Sequence, residues 1–384
     1  MPDWSPQRTG EVVHTGSVRI TSLEAIPVNV VVRPDLAIVS AAGEHRISRY
    51  ALVEIHTDEG LSGIGEANVV PVWSGEGQAG CVATIRDILA PVLIGQDPLN
   101  VSALAHAMDR ALIGNPFTKA AVEMALFDLA GKILGAPVHV LLGGMRRQPK
   151  IPLKFSIGAF EPAGAVRVAE AAVEQGVRAV KVQVGTDVSQ DLSRVEAVRS
   201  ALGPQFRIGV DANAGWTEAE ATAALASLER LNVNMIEQPL RRGDFQACAR
   251  LRSRTSIPIM LDESIFTPQD ALQAIRADAC DIISIYPGKN GGIRRSLEIA
   301  QMADAAGLEC VIGSNLEWEV GSAAMLHLAV AIPNLCRAVD HDIIGPLYHT
   351  KQVGTPSLRV EDGCAVLPSG AGLGVAADLK AHAQ

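Results

Sequence analysis

Short apolar runs alternate with longer amphipathic stretches over the second half of the chain. After Lys150 the candidate strands are IPLKFSI, AVKVQV, RIGVD, NMIE, IPIML, IISIY, ECVIG and CRAVD. Apolar residues spaced three and four apart separate these runs, which predicts helices that begin near Glu161, Val188, Thr217, Asp244, Thr267, Ile293 and Glu319. Eight strands with seven intervening helices predict an α/β fold, a (β/α) barrel that lacks its last helix. A doubly wound open sheet is the alternative.

The first half of the chain has a different pattern. VRITSLEAIPVNVVV and YALVEIHTDEGLSGIGEA are rich in Val and Ile, which predicts strands. From about Gly80 to Leu142 the apolar spacing and the Pro and Gly stops predict helices. Strands followed by helices are typical of an α+β domain. We therefore expect four parts: a poorly ordered extension at 1–17, an α+β domain at 18–148, the barrel at 149–342, and a segment at 343–384 without helix signals that returns to the first domain.

Two polar connections in the first domain are predicted to act as flaps over a binding site. They run from Ala37 to Arg49 and from Asn68 to Glu76, and the second carries an isolated Trp73. Loops of this kind carry specificity more often than the elements that they connect. Trp73 is therefore a candidate lid residue that contacts the substrate.

Three carboxylates directly follow apolar runs at nearly constant spacing. Asp211, Glu237 and Asp262 are 26 and 25 residues apart, and Lys289 follows after another 27. One strand, one helix and their loops use up about that many residues. The carboxylates should therefore meet at one edge of the sheet, where they would repel one another without a cation among them. Oxygen ligands alone, with no nearby Cys or His, favour Mg²⁺, with Mn²⁺ as the alternative.

Further polar residues cluster around the same strand ends. Lys289, after the sixth strand, is a candidate general base, and Lys181, at the second strand, either approaches from the opposite side or pairs with a metal-binding carboxylate. Asn213 and Glu263 are predicted to orient the metal ligands. For Glu317, after the seventh strand, a substrate contact and a helix N-terminal acid are equally favoured readings. Asp340 and His341 form a weaker acid/base candidate, and a structural role is the better reading of that pair.

Composition narrows the class of protein. The chain of 384 residues is 48% apolar and 20% charged, as is usual for a soluble globular protein, and its net charge of −9 disfavours nucleic acid or an anionic membrane as a partner. Six scattered cysteines predict buried free thiols in a reducing compartment. The N-terminus lacks the apolar core of a signal peptide, and no apolar run reaches about 18 residues. We expect a cytoplasmic protein that forms a homo-oligomer.

With these residues in place, the chain resembles the enolase superfamily over nearly its whole length, and its muconate lactonizing enzyme subgroup in particular. The motifs that carry the resemblance are GEA, LLGG, DANAGW, EQP, DES and KNGG. The resemblance implies an α+β capping domain on a modified (β/α)₇β barrel and abstraction of a proton α to a carboxylate, with Mg²⁺ stabilising the enediolate. It also implies that Asp211, Glu237 and Asp262 bind the metal and that Lys289 is the acid/base.

One departure from the subgroup bears on the reaction. The subgroup usually carries Lys-x-Lys at the second strand, and this chain has Lys181-Val182-Gln183. A glutamine amide transfers no proton at physiological pH, although it donates a hydrogen bond to a substrate carboxylate. The seventh strand ends in Ser314 and Asn315 instead of the histidine of the mandelate racemase subgroup, and Asn315 joins the candidate substrate contacts.

Four functions remain open at this point. A one-base reaction at Lys289 favours a muconate cycloisomerase-like isomerase, followed by a dehydratase that eliminates water from a hydroxy acid. Two-base racemisation or epimerisation is less favoured because of Gln183. A non-catalytic binder with the enolase fold is the fourth reading. In each case the expected ligand is a small carboxylic acid.

Overall fold

A computed structural model describes residues 18–377 and Leu379. The extension predicted at 1–17 lies outside these residues. The first five strands are β1 Ile20–Val31, β2 Ile38–Ser40, β3 Gly43–His45, β4 Ile47–Thr57 and β5 Ser62–Asn68. The first six α-helices are α1 Pro71–Ser74, α2 Gln78–Thr84, α3 Ala90–Leu93, α4 Val101–Ala111, α5 Pro116–Leu134 and α6 Val138–Leu141.

The predicted strands and helices of the first half are confirmed as elements. β1, β4 and β5 form an antiparallel sheet in that order, and α5 packs across β5. A side chain at Gly63 or Gly65 would collide with the α5 backbone at Ala125 or Ala121, so the glycines allow the close approach of helix and strand. The connection between β1 and β4 is not irregular throughout. It contains a 3-10 helix at Pro34–Leu36 and the hairpin β2–β3.

The barrel strands follow the predicted order. A short strand, β6 Lys150–Pro152, pairs outside the barrel with residues 364–366. The barrel strands are β7 Lys154–Ile157, β8 Ala179–Gln183, β9 Arg207–Asp211, β10 Ile236–Glu237, β11 Ile259–Leu261, β12 Ile282–Ile285 and β13 Glu309–Ile312. The strands β7 to β13 form one parallel sheet in sequence order, without the strand-order reversal of a doubly wound sheet. The barrel prediction is therefore confirmed, and the open-sheet alternative is wrong.

The predicted eighth strand is not a regular strand. CRAVD lies at the closing position of the barrel, but the chain bends at 337–339, and the ladder is reduced to isolated bridges. Leu335 bridges Cys310 of β13, and His341 bridges Leu153 beside β7. Backbone hydrogen bonds from Cys336 to Cys310 and from Lys154 to His341, 2.8 and 2.9 Å, close the ring of strands.

Helices surround the barrel and, except for the single-turn helix that carries Lys289, begin where the sequence predicts. They are α7 Pro162–Glu174, α8 Val188–Leu202, α9 Glu218–Arg230, α10 Phe245–Arg252, α11 Pro268–Arg276, α12 Pro287–Asn290, α13 Ile293–Ala305 and α14 Glu319–Ala331. Side-chain caps explain several of these starts. Thr217 and Thr267 form capping boxes with Glu220 and Asp270, and Asp187 caps α8.

The segment after Asp342 contains a helical turn and several short strands that the sequence analysis did not predict. It holds the single-turn helix α15 Gly345–Tyr348 and the short strands β14 Gly354–Thr355, β15 Arg359–Glu361, β16 Cys364–Val366 and β17 Ala376–Ala377. The expectation that this segment has no helix is wrong by this one turn, which Pro346 starts. His349 bridges Val32, and Gly372 bridges Pro137, so this segment contacts the first domain.

Buried Asp128 joins three parts of the chain. Its carboxylate accepts hydrogen bonds from the backbone N–H groups of Ile64 and Leu373, 3.0 and 2.8 Å, and pairs with Lys132 at 2.7 Å. All six cysteines are free, and five of them are buried. None of the helices within 18–377 combines the length and the apolar character needed to cross a membrane.

Candidate active site

Consecutive barrel strands bring the three predicted carboxylates together. Asp211 and Glu237 end β9 and β10, where they are direct neighbours across the two strands, and Asp262 follows β11 by one residue. Parallel strands deliver their carboxyl ends to the same face of a barrel. The three side chains are at most 4% exposed. Three negative charges are therefore buried side by side.

Two lysines compensate this charge. Lys181, in the middle of β8, places its Nζ 2.8 Å from Glu237 Oε2 and 3.2 Å from Asp211 Oδ2. Lys289 lies in α12, four residues beyond β12, and donates to Asp262 Oδ1 at 2.6 Å and to the carbonyls of Asp262 and Ser284. Of the two placements predicted for Lys181, the one found is pairing with these carboxylates. Lys289 is fully buried against Asp262 rather than open to the barrel mouth.

Amide groups complete the environment of Asp211. Gln183 Nε2 donates to its Oδ2 at 2.9 Å, and the backbone N–H of Asn213 donates to its Oδ1 at 3.0 Å. Asn213 Nδ2 also donates to Glu263 Oε1 at 2.9 Å. Asn213 has φ 40°, in the left-handed region that asparagine tolerates better than most residues. Asn213 and Glu263 therefore lie beside Asp211, where they would hold its carboxylate in the orientation that a bound metal needs.

The electrostatics of the cluster follow from burial. Burial, which outweighs the opposing charge of Lys181 and is reinforced by Asp211 and Asp262, raises the pKa of Glu237 to about 8. Burial, with Asp262 and Asp211 nearby, also raises the pKa of Glu263 well above its usual value. For Lys181, burial lowers the pKa, but Asp342, Glu237 and Asp211 outweigh it and the pKa rises well above the ordinary value. The environment of the cluster therefore favours the charged form of Lys181 and the protonated forms of Glu237 and Glu263, so a cation that binds here would have to displace protons from these carboxyl groups.

The donor chemistry of this cluster fits a hard divalent cation. Three buried carboxylates supply only oxygen atoms, which is the ligand type that Mg²⁺ takes. Within residues 18–377, however, no three His, Cys, Asp or Glu side chains are arranged to enclose a metal ion directly. In this structure Asp211, Glu237 and Asp262 are paired with the lysines instead. A cation would therefore compete with the two ammonium groups for the same oxygen atoms.

Two charged residues of the site escaped the sequence analysis. Asp342 Oδ2 lies 2.7 Å from Lys154 Nζ and 3.3 Å from Lys181 Nζ, so these three groups form a continuous network with the carboxylates. The sequence signal for Lys154 was a lysine inside the apolar run of β7. The sequence signal for Asp342 was the alternation of polar and apolar residues in the closing segment. Asp340 of the same segment does not join the network and pairs with Arg207 at 2.7 Å. His341 accepts the backbone N–H of Ile312 and is structural.

A cavity of about 380 Å³ opens above the strand ends. From the barrel it is lined by Lys181, Gln183, Asp211, Asn213 and Asp262, and also by Ser156, Ser314, Asn315 and Asp342. The β2–β3 hairpin and the segment around Trp73 form the opposite wall. Trp73 and Asn315 thus lie where the sequence analysis placed candidate substrate contacts. Lys289, Glu237 and Glu317 are not among the lining residues.

The loop after β13 is fastened to the first domain. Glu317 is turned away from the cavity, where it accepts hydrogen bonds from Ser314 Oγ at 2.6 Å and from the backbone N–H of Asn315. Burial raises the pKa of Glu317 to about 7. Asn68 exchanges hydrogen bonds with Asn315, and Glu66 accepts from the backbone of Trp318 at 2.7 Å. The first domain therefore positions one wall of the site.

Two protein-family models match this chain. The mandelate racemase / muconate lactonizing enzyme N-terminal domain matches residues 23–143, and the enolase C-terminal domain-like model matches residues 164–381. The chain belongs to the mandelate racemase/muconate lactonizing enzyme family. This places it among the isomerases of the enolase superfamily, as the sequence motifs predicted.

Relatives within this family differ in reaction. The N-succinyl-L-Arg/Lys racemase of Bacillus cereus is 36% identical, over 79% of this chain and 81% of its own length. The structure of 2-chloromuconate cycloisomerase from Rhodococcus opacus superposes with a TM-score of 0.91 at 33% identity, covering 95% of this chain and 100% of its own. The dipeptide epimerase of Enterococcus faecalis, solved with Mg and the dipeptide L-Leu-L-Tyr, has a TM-score of 0.88 at 31% identity, covering 93% and 99%.

Proposed function

We propose that this family member is a Mg²⁺-dependent enzyme that transfers a proton at the carbon next to a substrate carboxylate. Lys289 is its single acid/base, and the reaction is a muconate cycloisomerase-like isomerisation. The observation that carries the proposal is the asymmetry of the carboxylate row. A lysine contacts Asp262 at one end, and at the other end Gln183, which transfers no proton, contacts Asp211.

The carboxylates of Asp211, Glu237 and Asp262 would hold the metal. When bound, Mg²⁺ would supply the positive charge that stabilises an enediolate, as Lewis acids do for developing oxyanions. Lys181 contacts Glu237 and Asp211 from one side, and Asp342 lies between Lys181 and Lys154 on the other. Asn213 and Glu263 keep the ligands in orientation. Mn²⁺ has the same preference for oxygen ligands and is the alternative metal.

Lys289 would act first as an acid. In a cycloisomerisation, one carboxylate oxygen of an unsaturated diacid forms a C–O bond, and the electron pair of the double bond moves towards the other carboxylate. The carbon next to that carboxylate then takes one proton, which Lys289 would supply from its ammonium group, 2.6 Å from Asp262 Oδ1. All three ammonium protons are donated in this structure, so Asp262 must release Lys289 before the transfer.

Two further reactions remain as alternatives. In a dehydratase, neutral Lys289 would remove the α-proton and water would leave from the next carbon, with Glu317 or a water molecule assisting. Racemisation or epimerisation is favoured by the reactions of the racemase and epimerase relatives, but it needs a proton donor on each face of the carbon. Gln183 stands where the second lysine is expected, which counts against it. A binder without turnover is the last alternative.

A deuterium-exchange screen tests this proposal. The protein is incubated with Mg²⁺ in D₂O with muconates, hydroxy acids, sugar acids, N-acyl amino acids and dipeptides, and products are identified by proton NMR and mass spectrometry. We expect an isomeric lactone that carries one deuterium. A product lighter by one water makes the protein a dehydratase, and α-deuteration with inversion makes it a racemase or epimerase. Metal and acid binding without exchange contradicts the catalytic proposal.

Replacing Gln183 by lysine is expected to open the second face of the substrate. The new ammonium group would lie beside Asp211 and Lys181, within the same network that now holds the amide. We expect slow exchange or epimerisation at a chiral α-carbon, measured by NMR in D₂O, where the wild-type protein exchanges on one face. Gln183→Met, which has a similar length and no polar group, is the control. Absence of any new exchange in the lysine variant would count against the one-base account.

The last part of the proposal concerns the ligand class, the cellular compartment and the oligomeric state. Its ligand is a small carboxylic acid, and nucleic acid and membranes are not its partners, as the net charge of −9 indicates. Free cysteines suit a reducing compartment, which supports a cytoplasmic location. A homo-oligomer remains our expectation, because closed symmetric assemblies are common among soluble proteins.

A further inference from the structure

The β2–β3 hairpin contributes an imidazole to the wall of the cavity. Half-buried His45 ends β3 and lines the same cavity as Lys181 and Asp262. The hairpin is docked on the barrel, since the backbone N–H of Ala159 donates to the carbonyl of Val39 at 2.7 Å. His45 is therefore a flap residue held over the substrate cavity.

A chain of four hydrogen bonds runs from His45 to the loop after β13. His45 Nε2 lies 2.8 Å from Ser48 Oγ, and Ser48 Oγ lies 2.9 Å from His349 Nε2. His349 Nε2 is also 3.0 Å from the hydroxyl of Tyr50, which donates to the carbonyl of Leu316 at 2.6 Å. Ser48, Tyr50 and His349 are all buried.

The Leu316 end of this series of hydrogen bonds constrains where the protons lie on Tyr50, His349, Ser48 and His45. The carbonyl of Leu316 only accepts, so the single Tyr50 hydroxyl proton is used there, and His349 Nε2 must carry the proton shared with Tyr50 and Ser48. We take Ser48 to accept from His349 and to donate to His45 Nε2, since the hydroxyl of Tyr50, its other neighbour, already accepts from His349. Because His45 Nε2 accepts, the proton of neutral His45 lies on Nδ1.

The Nδ1–H of His45 is left to interact with a ligand. No hydrogen bond within the described part of the chain uses this nitrogen. Burial and, to a lesser extent, the charge of Arg49 lower the pKa of His45 to about 4, so the ring is neutral near pH 7. The other polar flap residues are engaged or exposed, since Glu44 pairs with Arg46 and Ser40 Oγ accepts the backbone N–H of Ala42.

We propose that His45 is a specificity-determining residue that donates its Nδ1–H to an acceptor oxygen on the part of the substrate remote from the metal-binding carboxylates. The ligand class is a carboxylic acid with a second carboxylate or a carbonyl group at its far end. Ser48, Tyr50 and His349 are positioning residues that select the tautomer. The proposal rests on the proposed function only in taking this cavity as the substrate site.

Nitrogen NMR tests the tautomer without any turnover. In protein labelled with ¹⁵N-histidine, we expect His45 to show a protonated Nδ1 and an unprotonated Nε2 between pH 6 and 8. Ser48→Ala removes the donor to Nε2 and should give a mixture of both tautomers. Ser40→Ala, a serine of the same flap that does not bond to His45, should change nothing. A protonated Nε2 in the wild-type protein overturns the proposal.

Ligand affinity tests the role of this donor. The probes are cis,cis-muconate and 2,4-hexadienoate, a six-carbon diene with a methyl group in place of one carboxylate, titrated calorimetrically with Mg²⁺ in the Lys289→Ala background, in which the diacid binds without being converted. His45→Phe should weaken muconate binding by at least about tenfold, as expected for a lost bond to a charged group, and change hexadienoate binding little. His45→Asn, which keeps an N–H near Nδ1, should restore part of the loss.

Each outcome of these tests points to one claim. Equal losses for both acids in His45→Phe would overturn the donor role. Absence of α-exchange in the wild-type protein, with the Nδ1–H tautomer present, would instead remove the proposed reaction and leave the assignment of His45 standing.

Discussion

Replacing Lys289 by alanine is expected to lower turnover by about 10²–10⁴-fold, the usual contribution of a positioned acid or base. Gln183, at the other end of the carboxylate row, transfers no proton and cannot take over. Mg²⁺ affinity should stay equal or rise, because the ammonium group no longer competes for Asp262 Oδ1, which it contacts at 2.6 Å in this structure. The measurements are the rate of α-deuterium exchange and the calorimetric affinity for Mg²⁺.

Two further variants keep this test interpretable. Lys289 also donates to the carbonyls of Asp262 and Ser284, so Lys289→Gln, which retains one donor, guards against loss of fold. Lys150→Ala, which removes a half-exposed lysine paired with Glu361 on the surface, is the matched control for the same side-chain removal. Exchange within tenfold of the wild-type rate in both Lys289 variants would refute the assigned role.

Replacing Glu237 by glutamine is expected to remove Mg²⁺ binding and, with it, turnover. The substitution keeps the shape of the side chain and deletes the central charge of the three carboxylates. Loss of an outer partner of a metal ligand typically costs about 10–100-fold in affinity, so loss of a ligand should cost more. Lys181 keeps Asp211 and Asp342 as partners, at 3.2 and 3.3 Å, and the fold should therefore tolerate the change.

The matched control for this variant lies next to the same cluster. Glu263 accepts from Asn213 and is predicted to orient the ligands rather than to bind the metal. Glu263→Gln should therefore weaken Mg²⁺ binding less than Glu237→Gln does, by calorimetry at the same ionic strength. The assignment of the two glutamates would be reversed if Glu263→Gln had the larger effect.

The two proposals complement each other in the choice of substrate. Gln183 restricts the reaction to proton transfer on one face, and His45 selects molecules with an acceptor oxygen at the far end. An unsaturated diacid satisfies both conditions. An N-acyl amino acid satisfies only the second, which is why the product of the deuterium-exchange screen separates them.

The sequence alone determined the order of the elements and the position of the candidate site along them. The predicted starts of the seven barrel helices follow from capping residues such as Thr217 and Thr267. The strands follow from short apolar runs that are visible in the local sequence. The convergence of Asp211, Glu237 and Asp262 follows from their spacing, since parallel strands of one barrel share an end. These features depend on residues close in sequence, and local patterns therefore reveal them.

Only the tertiary structure decided which charges meet. Asp342, on the closing segment beside β7, joins Lys154 and Lys181, which are 188 and 161 residues away in sequence, and no local pattern records that contact. The same reason explains the bend that replaces the eighth strand and the chain from His45 through Ser48 to His349. Burial fixes these contacts, because a charge or polar group removed from water must find its partner wherever the folded chain brings one.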